Sequence, residues 1–155
     1  MTQPTSPIEL TGAVARLGAV AALPPGFGER IGAICATTTD VAATAEASRD
    51  WWPLAMHWSL AGQVLQRAAL VARPTDTAQV AAVVAMCNDA GVPITAAGGR
   101  SGVLGASIPL FGGVLLDLTA MQGIVAVDTT SGVVEVLPGT FGPELETELR
   151  AGHGL

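Results

Sequence analysis

The residues with the most chemistry in their types and spacing lie between Pro93 and Leu118, in the run PITAAGGRSGVLGASIPLFGGVLLDL. Gly98-Gly99-Arg100-Ser101-Gly102, followed by Gly105, is rich enough in glycine to take positive φ and to admit another surface close to the main chain. Arg100 adds a cation and Ser101 a hydroxyl. A loop of this kind suits a phosphate or diphosphate held mainly by backbone N–H groups. It equally suits a plain glycine-rich turn between two strands. It lacks the Gly-Lys-Ser/Thr ending of a P-loop, and Gly99, Gly102 and Gly105 do not spell G-x-G-x-x-G. Ile108, Pro109 and the Gly112-Gly113 pair predict extended chain and a turn after it, which speaks against a dinucleotide resting on a helix N-terminus.

Other chemistry is hard to assemble. The chain has no tyrosine, no Ser-His-Asp spacing, and no carboxylate pair with a reason to share a proton. His57 sits beside Trp58 and reads as a surface or packing residue. His153 follows a helix C-terminus, where the dipole favours a cation. Asp117 closes an apolar strand as a turn or cap residue. Cys35 and Cys87 lie far apart with no C-x-x-C spacing, so neither a redox pair nor a metal site is expected. Arg100 is the one charge expected to act, on a diphosphate or as a brace for the loop.

The elements that must position this loop follow from periodicity. Ala69 to Arg73 predicts a buried strand ended by Pro74, and Asp76 with Gln79 has capping-box spacing. The helix it opens turns Val80, Val83, Val84 and Cys87 inward and stops at Gly91. Ile94 to Ala96 makes a second strand, giving a parallel crossover whose carboxyl edge carries the loop. Gly113 to Leu118 leaves the loop as another apolar run. Ile124–Asp128 and Val133–Leu137 read as a hairpin, and Pro143 to Arg150 as a helix with Leu145 and Leu149 buried and Gly152 as its stop. Upstream, Thr11 predicts a helix from about Gly12 to Ala22, and Thr37 to Asp40 a cap for one over Val41 to Ala47. Trp51, Trp52 and Trp58 cluster around Pro53, with Trp51 and Trp58 on one helical face beside Leu54 and Ala55. They read as packing that fixes this arm onto the rest, or as a wall near a ligand or an oligomer contact.

From Ala69 to Leu155 the chain resembles the flavin-binding domain of the vanillyl-alcohol oxidase and p-cresol methylhydroxylase (PCMH) superfamily. The marks are Val71-Ala72-Arg73-Pro74-Thr75, Gly91-Val92-Pro93, the glycine loop, Gly112 to Leu118, Pro138-Gly139-Thr140 and His153-Gly154-Leu155. Ser48-Arg49-Asp50-Trp51-Trp52-Pro53-Leu54-Ala55 resembles bacterial relatives of alkyldihydroxyacetonephosphate synthase, with glycolate oxidase subunits and D-lactate dehydrogenases as the neighbouring branch. The resemblance implies an α+β, PCMH-type FAD-binding subdomain, a small mixed sheet with flanking helices over 69–155. A helical arm over 1–68 precedes it. It implies that Ala97, Gly98, Gly99, Arg100, Ser101 and Gly102 hold the FAD diphosphate through main-chain amides. Three positions depart from the family's Pro-x-Gly-Gly-Gly-Thr-Ser/Gly loop: Thr95 stands for Pro, Ala97 for a Gly and Arg100 for Thr. Some relatives attach flavin through a histidine in this loop; Gly102-Val103-Leu104 carries none, so FAD is expected to be non-covalent.

Family enzymes continue well beyond this length, so the resemblance also implies an incomplete domain. The expected reading is the N-terminal part of an FAD-dependent oxidoreductase, with a small-molecule substrate in the full-length parent and little activity in the isolated chain. The alternatives are a truncated, non-catalytic interaction subunit or remnant that folds partly or pairs with another chain, and an acidic α/β module binding another phosphorylated ligand; a homo-oligomer is a separate expectation for the partner. Composition supports a folded chain: 155 residues, 50% hydrophobic and only 13% charged. The net charge of −6 argues against nucleic acid. The N-terminus lacks the basic start of a signal peptide, and the apolar stretch Ala13 to Leu23 is short and broken by Arg16, so a cytoplasmic protein without a membrane span is expected.

Overall fold

The computed structural model describes residues 20–154 and the backbone of residues 12–13. Its centre is a four-stranded mixed sheet in the order β2(Ala36–Thr38), β4(Leu70–Arg73), β6(Val114–Asp117), β5(Ile94–Ala97). β4 and β5 both run parallel to β6, which lies between them, while β2 is antiparallel on the β4 edge. The expected crossover therefore exists, but the strand that leaves the glycine loop fills the gap between the two strands it joins. A smaller two-stranded pair joins β1(Gly12–Ala13) to β3(Gln63–Val64), and β7(Ile124–Asp128) with β8(Val133–Val136) forms the expected antiparallel hairpin.

The sheet is apolar on both faces, as a parallel strand flanked by helices must be. Alternate residues divide between the two sides. Leu70, Ala72, Val114 and Leu116 pack with Phe27 and Ile31 of α1(Phe27–Gly32) and with Val83 and Cys87 of α4(Thr77–Ala90). Val71 and Leu115 face the other way, against Ala47, Ala68 and Ala97. Along α4 the expected inward stripe holds for Val83 and Cys87, with Val80 packed against the cluster, but Val84 is 42% exposed. Asp76 accepts from the Gln79 N–H at 2.8 Å, and Gly91 closes the helix at φ 62°. At the outer end of the hairpin Asp128 accepts from the amides of Thr130 and Ser131 and from the Ser131 hydroxyl. Those bonds, the hydroxyl first, hold its carboxyl below the usual range.

The arm before β4 is tied down by side chains as well as by β2. α2(Val41–Ala47) is capped by Asp40, whose carboxylate accepts from the Ala43 N–H at 2.8 Å. At its far end the Ser48 hydroxyl accepts from the Ala68 N–H at 2.9 Å, and the Arg67 guanidinium donates to Thr44 Oγ1 at 2.7 Å. α3(Pro53–Leu60) starts on its proline as expected. The tryptophan that packs against Trp58 is Trp52, with ring centroids 5.7 Å apart and planes at 89°, whereas Trp51 precedes the helix and is 39% exposed. An expected Trp51–Trp58 face fails because the helix begins two residues after Trp51.

Three further expectations are corrected. Of the helix predicted from Gly12 to Ala22, residues 14–19 lie outside the described residues. Gly12 and Ala13 are strand, and Ala21 bridges Gly112. Thr11 also lies outside. α5(Gly142–His153) runs past Gly152 and ends instead on Gly154 at φ 65°. Leu145 and Leu149 are half-buried rather than core residues, since nothing in the described chain covers that face of α5.

Candidate functional site at the carboxyl edge of the sheet

The glycine loop leaves the carboxyl end of β5, where Ala97 pairs with Asp117 at the end of β6. Ala97 itself is buried in the sheet. Beyond it, Gly98, Gly99 and Arg100 are half-buried, and Ser101 and Gly102 are exposed. Among the described residues, the N–H groups of Gly99 to Leu104 donate no hydrogen bond to protein. Arg100 is the one described non-glycine residue with positive φ, at 54°. That conformation costs an L-residue roughly 1–2 kcal/mol relative to ordinary backbone. It also produces the local alternation in backbone hand that gathers successive N–H groups into a concave nest. The sequence places glycine immediately before the strained position, at Gly99, and two residues after it, at Gly102, but not at it.

Two segments converge on this loop. Pro138 presents its carbonyl 3.1 Å from the point that a Cβ on Gly98 would occupy. The neighbouring Gly139 is wedged against Leu118 and Thr119, where a Cβ would fall 2.3 Å from the Leu118 oxygen. Its N–H donates to the Met121 carbonyl at 2.8 Å. Thr140 completes the corner, its hydroxyl bridging the N–H and carbonyl of Gly123. From the other side the Trp51 N–H donates to the Gly102 carbonyl at 3.0 Å, and the Trp52 ring lies 3.1 Å from a Cβ placed on Gly105. Sequence reasoning missed these supports. Both lie in stretches it had marked, the tryptophan cluster and Pro138-Gly139-Thr140, but their approach to the loop is set by tertiary packing.

Asp117 behaves as expected of a structural carboxylate. It accepts from the N–H and hydroxyl of Thr119 at 3.1 and 2.7 Å, and its other oxygen pairs with Arg73 Nε at 3.3 Å. The pair spans the carboxyl ends of β4 and β6 beside the root of the loop. His57 is exposed on α3 and His153 ends α5. Among the described residues no cluster of His, Cys, Asp or Glu could hold a metal ion. Cys35 and Cys87 are free and buried, and burial pushes both thiols up. The native protein should therefore resist alkylation by iodoacetamide at neutral pH and label both thiols only once unfolded. Rapid native labelling followed by mass spectrometry would contradict this packing.

Taken together, unspent amides, a left-handed cationic residue, a hydroxyl at Ser101 and glycines that let the backbone be approached are an arrangement chemically suited to an anionic ligand. The fit is to a phosphate or diphosphate rather than to a metal.

Comparison with known proteins names a cofactor for the domain that carries this loop. A family model described as FAD binding domain matches residues 68–155. A D-lactate dehydrogenase of Anaerostipes hadrus is 37% identical over 75 residues, covering 48% of this chain and 16% of that protein. An uncharacterized FAD-linked oxidoreductase of Mycobacterium tuberculosis is 35% identical over 81 residues, covering 52% and 18%. The chain thus spans less than a fifth of the length of these relatives. Among solved structures, alkyldihydroxyacetonephosphate synthase superposes with a TM-score of 0.74 over 96% of this chain and 29% of its own, at 21% identity. p-Cresol methylhydroxylase gives 0.66 over 86% and 26%, at 19% identity. The two likenesses show the shared PCMH-type fold, with its mixed sheet and flanking helices. With more than half of its length matched by that model, the chain belongs to the FAD binding domain family.

Proposed function

We propose that this chain supplies the diphosphate-binding part of an FAD-dependent oxidoreductase, and that residues Ala97 to Gly102 hold the cofactor's diphosphate. The observation that carries the reading is the row of unspent amides from Gly99 onward, at the carboxyl edge of β5, around a left-handed Arg100. Gly98, Gly99 and Gly102 keep side chains out of the way, Ser101 offers a hydroxyl donor, and the Arg100 guanidinium balances phosphate charge. Ala97 anchors the loop in the sheet and keeps its backbone fixed. When bound, FAD supplies an isoalloxazine that takes up two electrons; the chain's own part is to bind and orient. The loop carries no histidine, so the cofactor is assigned non-covalently.

In the domain organisation proposed here, 1–68 forms the bracing arm and 69–155 the first half of the flavin domain. Turnover of a small-molecule substrate is assigned to the whole protein, within the cytoplasm, with self-association as a further proposal. Among the described residues no helix is long and apolar enough to cross a membrane.

The test is an FAD titration of the purified protein followed by flavin fluorescence and equilibrium dialysis, with competitors. FAD should bind, ADP and inorganic diphosphate should compete, and riboflavin, which has no phosphate, should not. Failure to take up FAD, or competition by riboflavin but not by diphosphate, would refute the assignment of the loop.

A further inference from the structure

We infer that Asp50 is a positioning residue for the glycine loop: its free carboxylate oxygen accepts a hydrogen bond from the Ser101–Gly102 segment when the loop closes on a phosphate. This rests on the reading of the loop as the diphosphate site. Asp50 is 2% exposed. Its Oδ1 accepts from the Trp52 N–H at 3.0 Å, while Oδ2 is buried with no hydrogen-bond partner among the described residues. That oxygen lies 4.0 Å from the point that a Cβ on Gly102 would occupy. The next residue, Trp51, donates its N–H to the Gly102 carbonyl, and Trp52 covers Gly105. Three consecutive residues therefore touch the trailing half of the loop from behind.

A carboxylate is a pure acceptor with room for several donors, and buried carboxylates ordinarily use both oxygens. Asp50 uses one. Facing it is a loop whose amides from Gly99 to Leu104 are unspent and whose Ser101 hydroxyl has no protein partner among the described residues. An unspent buried acceptor thus stands against a segment of unspent donors. A phosphate seated on the leading half, Gly98 to Arg100, leaves the donors of the trailing half for Asp50. Like charge keeps the carboxylate itself from serving as a phosphate ligand. The adjoining Arg49, 3% exposed and joined to Glu46 at 2.7 Å, provides a buried cation beside it in the chain. In this arrangement the arm holds the loop in its closed form rather than merely covering it.

Asp50→Asn keeps the size of the side chain and the oxygen that caps Trp52, but replaces the free acceptor with an NH2 donor. In the intact protein its thermal midpoint should match wild type, while FAD affinity falls about tenfold or more, the scale set by loss of a charge-assisted hydrogen bond. Hydrogen exchange adds a readout that a general packing role would not move. With FAD bound, the Gly102 and Val103 amides should be protected in wild type and unprotected in D50N. Gly102→Ala sets a methyl at ordinary contact distance over Oδ2, so it should remove the same protection, and the two changes together should be less than additive. If D50N does not fold, G102A alone carries the exchange test. Absence of FAD binding by wild type would refute the loop assignment itself. Binding by wild type with equal or tighter binding and unchanged protection in D50N would overturn the role of Asp50. So would an affinity loss that only follows a lowered midpoint, or G102A with full protection.

Discussion

Gly113→Ala should cost about 2–5 kcal/mol of folding stability, a large fraction of the roughly 5–15 kcal/mol that holds an ordinary domain together. Gly113 stands at φ 68°, and a Cβ there would lie 2.1 Å from the Pro93 carbonyl oxygen and 2.9 Å from its carbon. The backbone hand alone accounts for roughly 1–2 kcal/mol, and forcing apart a packed contact adds about 1–3 kcal/mol. Neither side can yield cheaply. The Pro93 oxygen accepts from the Val114 N–H at 2.9 Å, and the Gly113 oxygen accepts from the Ala69 N–H at 2.9 Å. Those bonds set the register of β5 and β4 on β6, the strand that carries Val114 and Leu115, both fully buried. Urea unfolding monitored by tryptophan fluorescence measures the loss, with Gly132→Ala as control. Gly132 has the same positive φ but nothing within 4 Å of its Cβ position, so it should show only the cost of the backbone hand. Equal losses for the two would show that the close approach to Pro93 contributes nothing.

What the sequence made legible was local. The cap at Asp76, the stop at Gly91, the apolar strands on either side of the loop and the hairpin all follow from short-range rules, and the structure has each of them. Long-range placement was less legible. Nothing in the composition of Ala36–Thr38 marks it as the edge of the main sheet, because a three-residue strand holds too few alternating positions to read. The loop residues were found because glycine density is visible in one dimension. Their supports were not, because Asp50 and Pro138 are brought to the loop from 52 positions before Gly102 and 40 after Gly98. Burial of Asp50 runs against its residue type, and such departures from local preference collect at functional positions. Leu145 and Leu149 show the opposite error: periodicity gave the correct stripe, but a stripe does not say whether anything covers it.

Gly98→Val should weaken FAD binding by about 5- to 150-fold, the equivalent of roughly 1–3 kcal/mol of overpacking. Gly98 does not need glycine for its φ, since it is not among the residues with positive values. What it needs is space: a Cβ there would lie 3.1 Å from the Pro138 carbonyl oxygen, a distance that shifts of a few tenths of an ångström relieve. A single methyl can be absorbed, so Gly98→Ala should bind FAD only slightly more weakly than wild type. A branched side chain cannot, because Gly139 holds Pro138 in place and is itself jammed against Leu118 and Thr119. The strain must then move the loop, and with it the amides from Gly99 onward. Measured by fluorescence titration, affinity should fall in the order Gly, Ala, Val, while far-UV circular dichroism stays unchanged. A flat series would show that the leading half of the loop does not set the diphosphate's position, and would move that task to the trailing half behind which Asp50 stands.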